Sequence, residues 1–321
     1  MREALVVVAD AHLDRDDDET ASFCEFLNER ASDAATLVLL GDIFALWIAH
    51  PKHTLAHHRR VLDAVRRLRA NGVRVLFVEG NREFGVDRWQ ASEFDTVALS
   101  VTEEPWGERR WYLAHGDRLD PSDWKTRALH AVLRSSLVLS SLATAPASWG
   151  LSFADRLERS LRHRNLRYKT ALPRKRLEDY AEWLASEGYD GGVIGHIHVA
   201  FDMQVPTDGV TRRLFVLPDW RSSHSYLRIP RRGEPELLAW RGGRDRGVAV
   251  VAIRERPHDC ALTLERKTEL RLGQRVVLHS GHGEGTRAGT VLTSDGLHVT
   301  VQLASGAPIQ IGDRLAPDSR N

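Results

Sequence analysis

The sequence predicts an α/β fold with a helical insertion and a small β domain near its C-terminal end. Short, continuous apolar runs of the kind that form buried parallel strands recur between Val6 and Ile194, and helix-like segments separate them. A long helical region interrupts this alternation before the last of these runs. Beyond Gly242 the pattern changes to short strand-like segments divided by Gly-rich turns, which is typical of a small β-barrel.

The length and composition are those of a globular protein. The 321 residues suffice for one large α/β domain and a smaller one, and 42% of them are hydrophobic and 28% charged. The formal net charge of +1 gives no general argument for nucleic-acid binding, and only two cysteines, far apart, argue against disulfides and a cysteine-based zinc site. Because no signal peptide and no apolar run of membrane-spanning length is visible, we expect a cytoplasmic protein.

Five of the apolar runs end in side chains that can bind a metal ion. The segments that follow them are Asp10-Ala11-His12, Gly41-Asp42, Gly80-Asn81-Arg82-Glu83, His115-Gly116 and Gly195-His196-Ile197-His198. Any one of these His or Asp residues, taken singly, is more simply a solvated turn residue. Open α/β sheets, however, place their ligands at the carboxyl ends of their strands. Five recurrences in that position therefore predict a metal site.

Helices and further strands fill the intervals between these runs. An acidic segment after His12 leads into a predicted helix through Phe23–Leu27, and a basic helix that follows the second run closes at Asn71-Gly72. Beyond His198, alternating stretches between residues 201 and 229 predict antiparallel strands that complete the core near Pro230.

The region between His115 and His196 predicts a helical cap over about residues 120–176. Within it, Leu129–Leu142 predicts one amphipathic helix, and the span 156–176 is strongly basic. A basic helix face is commonly just solvated. The alternative is a surface that binds an anionic substrate or an anionic membrane, and the residues by themselves leave both open.

The predicted domains are therefore residues 1–241, which include the cap, and residues 242–321. The second domain is expected to be β-barrel-like, and its sequence does not indicate what it binds.

The motifs, in this order, resemble those of the calcineurin-like metallophosphoesterase superfamily from the N-terminus to about Pro230. The resemblance implies a βαβαβ core, built as a two-sheet sandwich flanked by helices, and two divalent metal ions. By motif, it implies that Asp10, His12, Asp42 and His198 bind one ion, and that Asp42, Asn81, His115 and His196 bind the other, with Asp42 bridging the two.

The donor types agree with this implication. Carboxylate, amide and imidazole groups without thiolate suit Mn²⁺, with Fe and Zn as alternatives. Two such ions, about 3.5–4 Å apart, activate water and stabilise the attacking and leaving oxygens of phosphoryl transfer. We expect a metal-dependent phosphoesterase in which Asp42, Asn81, Arg82 and His115 are the catalytic residues.

Two details resemble one family within the superfamily. Arg82 follows Gly-Asn where many phosphodiesterases and protein phosphatases have His, and Gly41–Trp47 reads Gly-Asp-Ile-Phe-Ala-Leu-Trp. Both are similar to the UDP-2,3-diacylglucosamine pyrophosphatases of lipid A synthesis, in which a helical cap covers the acyl chains. The resemblance implies hydrolysis of UDP-2,3-diacylglucosamine to UMP and 2,3-diacylglucosamine 1-phosphate, with Arg82 as a fixed positive charge on phosphate.

The same resemblance suggests the substrate-binding residues. Asp123 and Lys169 correspond by position to a substrate-binding Asp and a cap Lys, and Arg82 and His196 are expected beside them. The expected partner is a phosphate ester, a nucleotide-linked glycolipid, rather than nucleic acid. The basic cap is expected to contact the inner membrane surface. The oligomeric state is not indicated.

Two departures keep an alternative open. Glu83 stands where the family usually has Asp, and the segment beyond Gly242 has no counterpart in its compact members. The alternative is a broader metallophosphoesterase that acts on nucleotides or nucleic acid, with the C-terminal β domain as a binding module. A non-catalytic scaffold is disfavoured, because every predicted metal ligand is present.

Overall fold

The computed structural model describes most of the chain between Ala4 and Pro317. The described residues are 4–29, 31, 34–99, 101–119, 124–144, 146, 174–207, 210–240, 248–255, 260–264, 275–279, 286–294, 298–303 and 314–317.

The first of two central sheets carries three of the five predicted strands. Its members are β1 (Ala4–Val8), β2 (Thr36–Leu40), β4 (Arg74–Val78), β6 (Thr96–Ala98), β12 (Ser225–Pro230) and β13 (Glu236–Ala239). They lie in the order β13-β12-β1-β2-β4-β6. β1, β2, β4 and β6 are parallel, and β12 and β13 add antiparallel pairs at one edge. All residues of β1 and β2 are buried, as continuous apolar strands should be.

The second sheet carries the other two predicted strands. Its members are β7 (Val101–Trp106), β8 (Arg109–Ala114), β9 (Gly191–Ile194), β10 (Phe201–Thr207) and β11 (Val210–Val216). They lie in the order β10-β11-β9-β8-β7, with β8, β9 and β11 parallel. A separate parallel pair, β3 (Trp47–Ile48) and β5 (Glu83–Phe84), joins the loops that follow β2 and β4.

Helices cover the outer faces of the two sheets. The described helices are α1 (Asp18–Glu29), α2 (Ala56–Ala70), α3 (Val86–Trp89), α4 (Trp124–Leu133), α5 (Ser136–Thr144), α6 (Arg174–Ser186) and α7 (Trp220–Ser223), with 3-10 turns at Pro51–His53 and Ala91–Glu93. α1 and α2 pack on the first sheet, and α6 packs on the second. Between the sheets, Val7 of β1 and Leu113 of β8 belong to one apolar core. The α/β prediction is confirmed.

The α2 prediction is also confirmed, whereas the single helix predicted over Leu129–Leu142 is wrong. α2 ends at Ala70 with Asn71 as its C-cap, and Gly72 takes the left-handed conformation with φ 82°. The cap segment instead forms α4 and α5, which are separated at Ser135. The Ser135 hydroxyl donates to the Val132 carbonyl at 2.6 Å and lies 3.4 Å from the Val138 nitrogen, so it ends one helix and begins the next.

Six further strands form a closed barrel. They are β14 (Val248–Glu255), β15 (Cys260–Leu264), β16 (Arg275–His279), β17 (Thr286–Ser294), β18 (His298–Leu303) and β19 (Arg314–Pro317), in the order β14-β15-β18-β17-β16-β19. The division into domains at residues 241 and 242 stays a prediction, as does the extent of the cap, because residues 147–173 lie outside the described part. No helix in the described ranges combines the length and apolarity needed to cross a membrane.

Candidate metal centre

The carboxyl ends of five strands bring the predicted metal ligands together. These residues are Asp10 and His12 after β1, Asp42 after β2, Asn81 after β4, His115 after β8, and His196 and His198 after β9. Since β1, β2 and β4 belong to the first sheet and β8 and β9 to the second, the site lies where the two sheets meet. Local sequence patterns predict the strand ends but not this meeting of two sheets.

Asp10, His12 and His198 form a first group of candidate ligands. The Nε2 atoms of the two histidines are 3.1 Å apart, and the Nε2 atom of His198 is 3.2 Å from Oδ1 of Asp10. The other Asp10 oxygen, Oδ2, accepts from the His196 backbone N–H at 2.7 Å, whereas Oδ1 is buried without a hydrogen bond. Buried polar atoms rarely lack a partner, so this arrangement of donor atoms fits a cation.

Asn81, His115 and His196 form a second group. Oδ1 of Asn81 lies 3.1 Å from Nε2 of His115 and 3.1 Å from Nδ1 of His196. Nδ1 of His115 lies 3.1 Å from the Leu40 carbonyl, to which it donates. Metal-binding histidines commonly donate their second nitrogen to a carbonyl in this way, which directs the other nitrogen to the ion.

Asp42 lies between the two groups. Its Oδ1 accepts from the Arg82 backbone N–H at 3.0 Å and is 3.5 Å from Nε2 of His115. Its Oδ2 lies 4.0 Å from Nδ1 of His12. Asp42 therefore faces both groups, as a bridging ligand would. Donor atoms of Asp10, Asp42 and His115 also lie within 4.8 Å of one another, so Asp10 approaches the second group as well.

The electrostatics of the cluster favour bound positive charge. Burial lowers the pKa of the His12 and His196 imidazoles to about 4, which leaves them neutral and able to bind metal. Burial also acts to lower the pKa of His115, but the Asp42 and Asp10 carboxylates raise it to about 10. Without ions, the carboxylates thus draw a proton onto His115, and a bound metal ion would supply that positive charge instead.

The backbone at the site is strained. Outside glycine, six described residues have positive φ, and five of them are predicted ligands: Asp10 (54°), His12 (47°), Asp42 (51°), His196 (66°) and His198 (60°). Such conformations cost on the order of 1–3 kcal/mol each and persist where the surrounding structure enforces them, typically at functional sites. The clustering of strain on the predicted ligands is independent support for a functional centre.

Two glycines next to ligands are required by close packing. A Cβ atom at Gly41 (φ 80°) would lie 2.5 Å from Nδ1 of His115, and one at Gly80 would overlap Oδ1 of Asp42. Each ligand loop therefore packs directly on a ligand from another loop.

Arg82 and Glu83 surround Asp42. The Arg82 side chain is buried, with Nε 3.3 Å from Oδ2 of Asp42 and Nη1 donating to the Ala45 carbonyl at 3.2 Å. Glu83 accepts four backbone N–H groups, from Asp42 and Gly80 among others. Burial and the Asp42 carboxylate raise the pKa of Glu83, while these donors oppose the rise by stabilising the ionised form. From the sequence, Glu83 was noted only as a departure from the family's usual Asp, and its backbone contacts were not predicted.

An apolar cluster joins the two cap helices to the segments that follow β2 and β4. Leu46 and Phe84 of the core pack against Leu133 of α4 and Leu139 of α5. The other predicted substrate residues, Asp123 and Lys169, lie outside the described residues, and their roles remain predictions.

Comparison with known proteins agrees with the motifs. No family model matches the chain. UDP-2,3-diacylglucosamine hydrolase of Pseudomonas putida is 28% identical over 233 residues, which cover 71% of this chain and 96% of that protein. The enzyme of the same name from Pseudomonas aeruginosa is 27% identical over 237 residues, which cover 72% and 96%. A solved dimetal phosphatase from Danio rerio, 13% identical with coverage of 82% and 96%, has a TM-score of only 0.36, too low to support a functional conclusion. The predicted resemblance is confirmed: the chain is similar in sequence to the UDP-2,3-diacylglucosamine hydrolases.

Proposed function

We propose that this enzyme hydrolyses the pyrophosphate of UDP-2,3-diacylglucosamine, releasing UMP and 2,3-diacylglucosamine 1-phosphate. The convergence of seven carboxylate, amide and imidazole side chains at the place where the two sheets meet carries the proposal. The names of the similar proteins supply the substrate.

Two divalent metal ions are proposed at this centre, with Mn²⁺ favoured over Fe and Zn by the donor set. The proposed ligands are Asp10, His12, Asp42 and His198 for the first ion and Asp42, Asn81, His115 and His196 for the second. When bound, two such ions activate water and stabilise charge on the attacking and leaving oxygens. Only Asp10 and Asp42 are anionic among the seven, so the loaded site keeps a net positive charge that attracts a diphosphate.

Arg82 is proposed to bind the phosphate undergoing attack. Its guanidinium supplies a fixed positive charge. The Ala45 carbonyl and the Asp42 carboxylate hold the side chain in place and reduce the reorganisation that phosphate binding requires. His196, in the loop after β9, is proposed to contact the substrate as well.

The apolar cluster of Leu46, Phe84, Leu133 and Leu139 packs the two cap helices against the segments that follow β2 and β4. A nucleic-acid substrate would favour an open basic groove with aromatic platforms. On the same two cap helices Val132 is 57% exposed and Leu137 is 80% exposed, which supports contact with the cytoplasmic surface of the inner membrane, where an acylated substrate would reside.

A substrate panel tests the proposal. With Mn²⁺, the wild-type enzyme is expected to release UMP from UDP-2,3-diacylglucosamine much faster than it cleaves bis-p-nitrophenyl phosphate or a dinucleotide. Activity on aryl or nucleotide diesters alone would favour the broader phosphoesterase. One specific observation favours that alternative: more than a quarter of this chain has no counterpart in the similar enzyme of Pseudomonas putida.

Two substitutions separate the metal and phosphate roles. Asn81→Ala is expected to weaken binding of the second ion and nearly abolish turnover. Arg82→Ala is expected to lower turnover by about 10²–10³-fold, as for loss of one charge-stabilising donor, while both ions remain. Arg88→Ala, an exposed arginine that donates to Ser140, is the matched control and should behave as wild type. Equal metal loss in Asn81→Ala and Arg82→Ala would refute the role given to Arg82.

A further inference from the structure

One face of α4 contacts two of the loops that carry the proposed ligands of the second ion. His130 and Leu133 lie in the last turn of α4 and Arg134 directly follows it; their spacing of i, i+3 and i+4 places all three on one face. The Arg134 backbone N–H still donates to the His130 carbonyl at 2.9 Å. Arg134 contacts the loop of Asn81, and His130 contacts the loop of His115.

Arg134 fixes the peptide that precedes Asn81. Its Nη2 donates to the Gly80 carbonyl at 2.7 Å, and this carbonyl belongs to the peptide bond between Gly80 and Asn81. Its Nε lies 3.3 Å from Oε2 of Glu79, whose other oxygen accepts from the Val86 backbone N–H at 2.7 Å. The Glu79 side chain is fully buried and that of Arg134 is 14% exposed, so water competes little for either contact.

His130 makes the corresponding contact with the second loop. Asp117 follows His115 by two residues, and its Oδ2 lies 3.7 Å from Nδ1 of His130, with both side chains buried. Between the two polar contacts, Leu133 packs in the cluster that contains Phe84, three residues beyond Asn81. The helix face thus holds the two loops in a fixed relation.

We propose that Arg134, with His130, positions Asn81 and His115, so that retention of the second metal ion depends on the docking of α4. The inference rests on the proposed two-metal site. Neither residue contacts the proposed ions, and each acts through the backbone or a neighbour of a ligand. Partners that orient metal ligands typically change metal affinity or activity by about 10–100-fold when removed. α4 is also part of the predicted substrate cap, so substrate contact and metal geometry share one helix.

Titration of the metal-free full-length chain with Mn²⁺, followed by calorimetry and by electron paramagnetic resonance, tests the inference without relying on turnover. Wild type is expected to bind two ions. Arg134→Met is expected to keep the affinity for one ion and to raise the dissociation constant of the other by about 10–100-fold. Arg134→Lys keeps the charge but not the two-point contact, so its dissociation constant for the second ion should lie between those of wild type and Arg134→Met. This variant also keeps the test valid if Arg134→Met does not fold. Arg88→Met, on α3, should bind as wild type.

The possible outcomes separate the two claims. If Arg134→Met and Arg134→Lys bind both ions with wild-type affinity, the inference is overturned and the proposed function stands. If both ions weaken equally, the role of Arg134 is general stability, which also overturns the inference. If wild type binds fewer than two ions, the proposed two-metal site fails, and the inference fails with it.

Discussion

Replacing Glu83 by Gln is expected to loosen the metal-bearing loops, although Glu83 is not a proposed ligand. Its Oε1 accepts from the backbone N–H groups of Ile43 at 2.7 Å and Phe44 at 3.2 Å. Its Oε2 accepts from those of Asp42 at 2.9 Å and Gly80 at 2.8 Å. One buried carboxylate thus ties the loop after β2 to the loop after β4.

The magnitude follows from these four bonds. A Gln side chain in the same place keeps one acceptor oxygen and directs its NH₂ group at two N–H donors, so two of the four bonds are lost. Bonds of this kind to a charged group contribute about 1.5–3 kcal/mol each. Burial and the Asp42 carboxylate raise the pKa of Glu83 to about 8, so above that pH, where the carboxylate is ionised, the free energy of unfolding should fall by about 3–6 kcal/mol. Glu83→Asp keeps the charge but shortens the side chain, and it should cost less.

Urea unfolding of the metal-free protein measures the loss of stability, and metal analysis after dialysis against Mn²⁺ measures the effect on the site. Glu83→Gln should be the least stable of the three proteins and should retain less metal than Glu83→Asp. A Glu83→Gln protein within about 1 kcal/mol of wild type, the net value of one ordinary hydrogen bond, would refute the reasoning.

Two further predictions use matched pairs. Gly41→Ala and Gly188→Ala impose similar left-handed strain (φ 80° and 79°), but only the first places a Cβ against His115. In thermal or urea unfolding, Gly188→Ala should lower the free energy of unfolding by about 1–3 kcal/mol, and Gly41→Ala should lower it further and also lose bound Mn²⁺. Equal effects of the two substitutions would contradict the packing argument. Leu139→Ala should lower the local stability of α5 by about 2–5 kcal/mol because this side chain is buried, whereas Leu137→Ala should change it very little because Leu137 is exposed. Amide hydrogen exchange across α5 compares the two variants. Equal exchange rates would contradict the orientation of α5, in which Leu139 is buried and Leu137 is exposed.

The sequence by itself was sufficient to predict the strand ends and the residues that gather there. Continuous apolar runs identify buried parallel strands, and parallel strands of one sheet align their carboxyl ends, so Asp10, Asp42 and Asn81 could be grouped from the sequence alone. The end of α2 at Asn71-Gly72 was equally predictable, because the chemistry of a helix terminus is local.

Only the tertiary structure decided how the loops are held. That β1 and β8 lie in different sheets, and that Glu83 and Arg134 secure the loops around Asn81, depends on contacts between residues far apart in the chain. The break between α4 and α5 at Ser135 is also invisible to apolar periodicity, because a single serine hydroxyl and the anchoring of Arg134 decide it. Periodicity reports which face of an element is buried, and it contains no information about which distant group that face will meet.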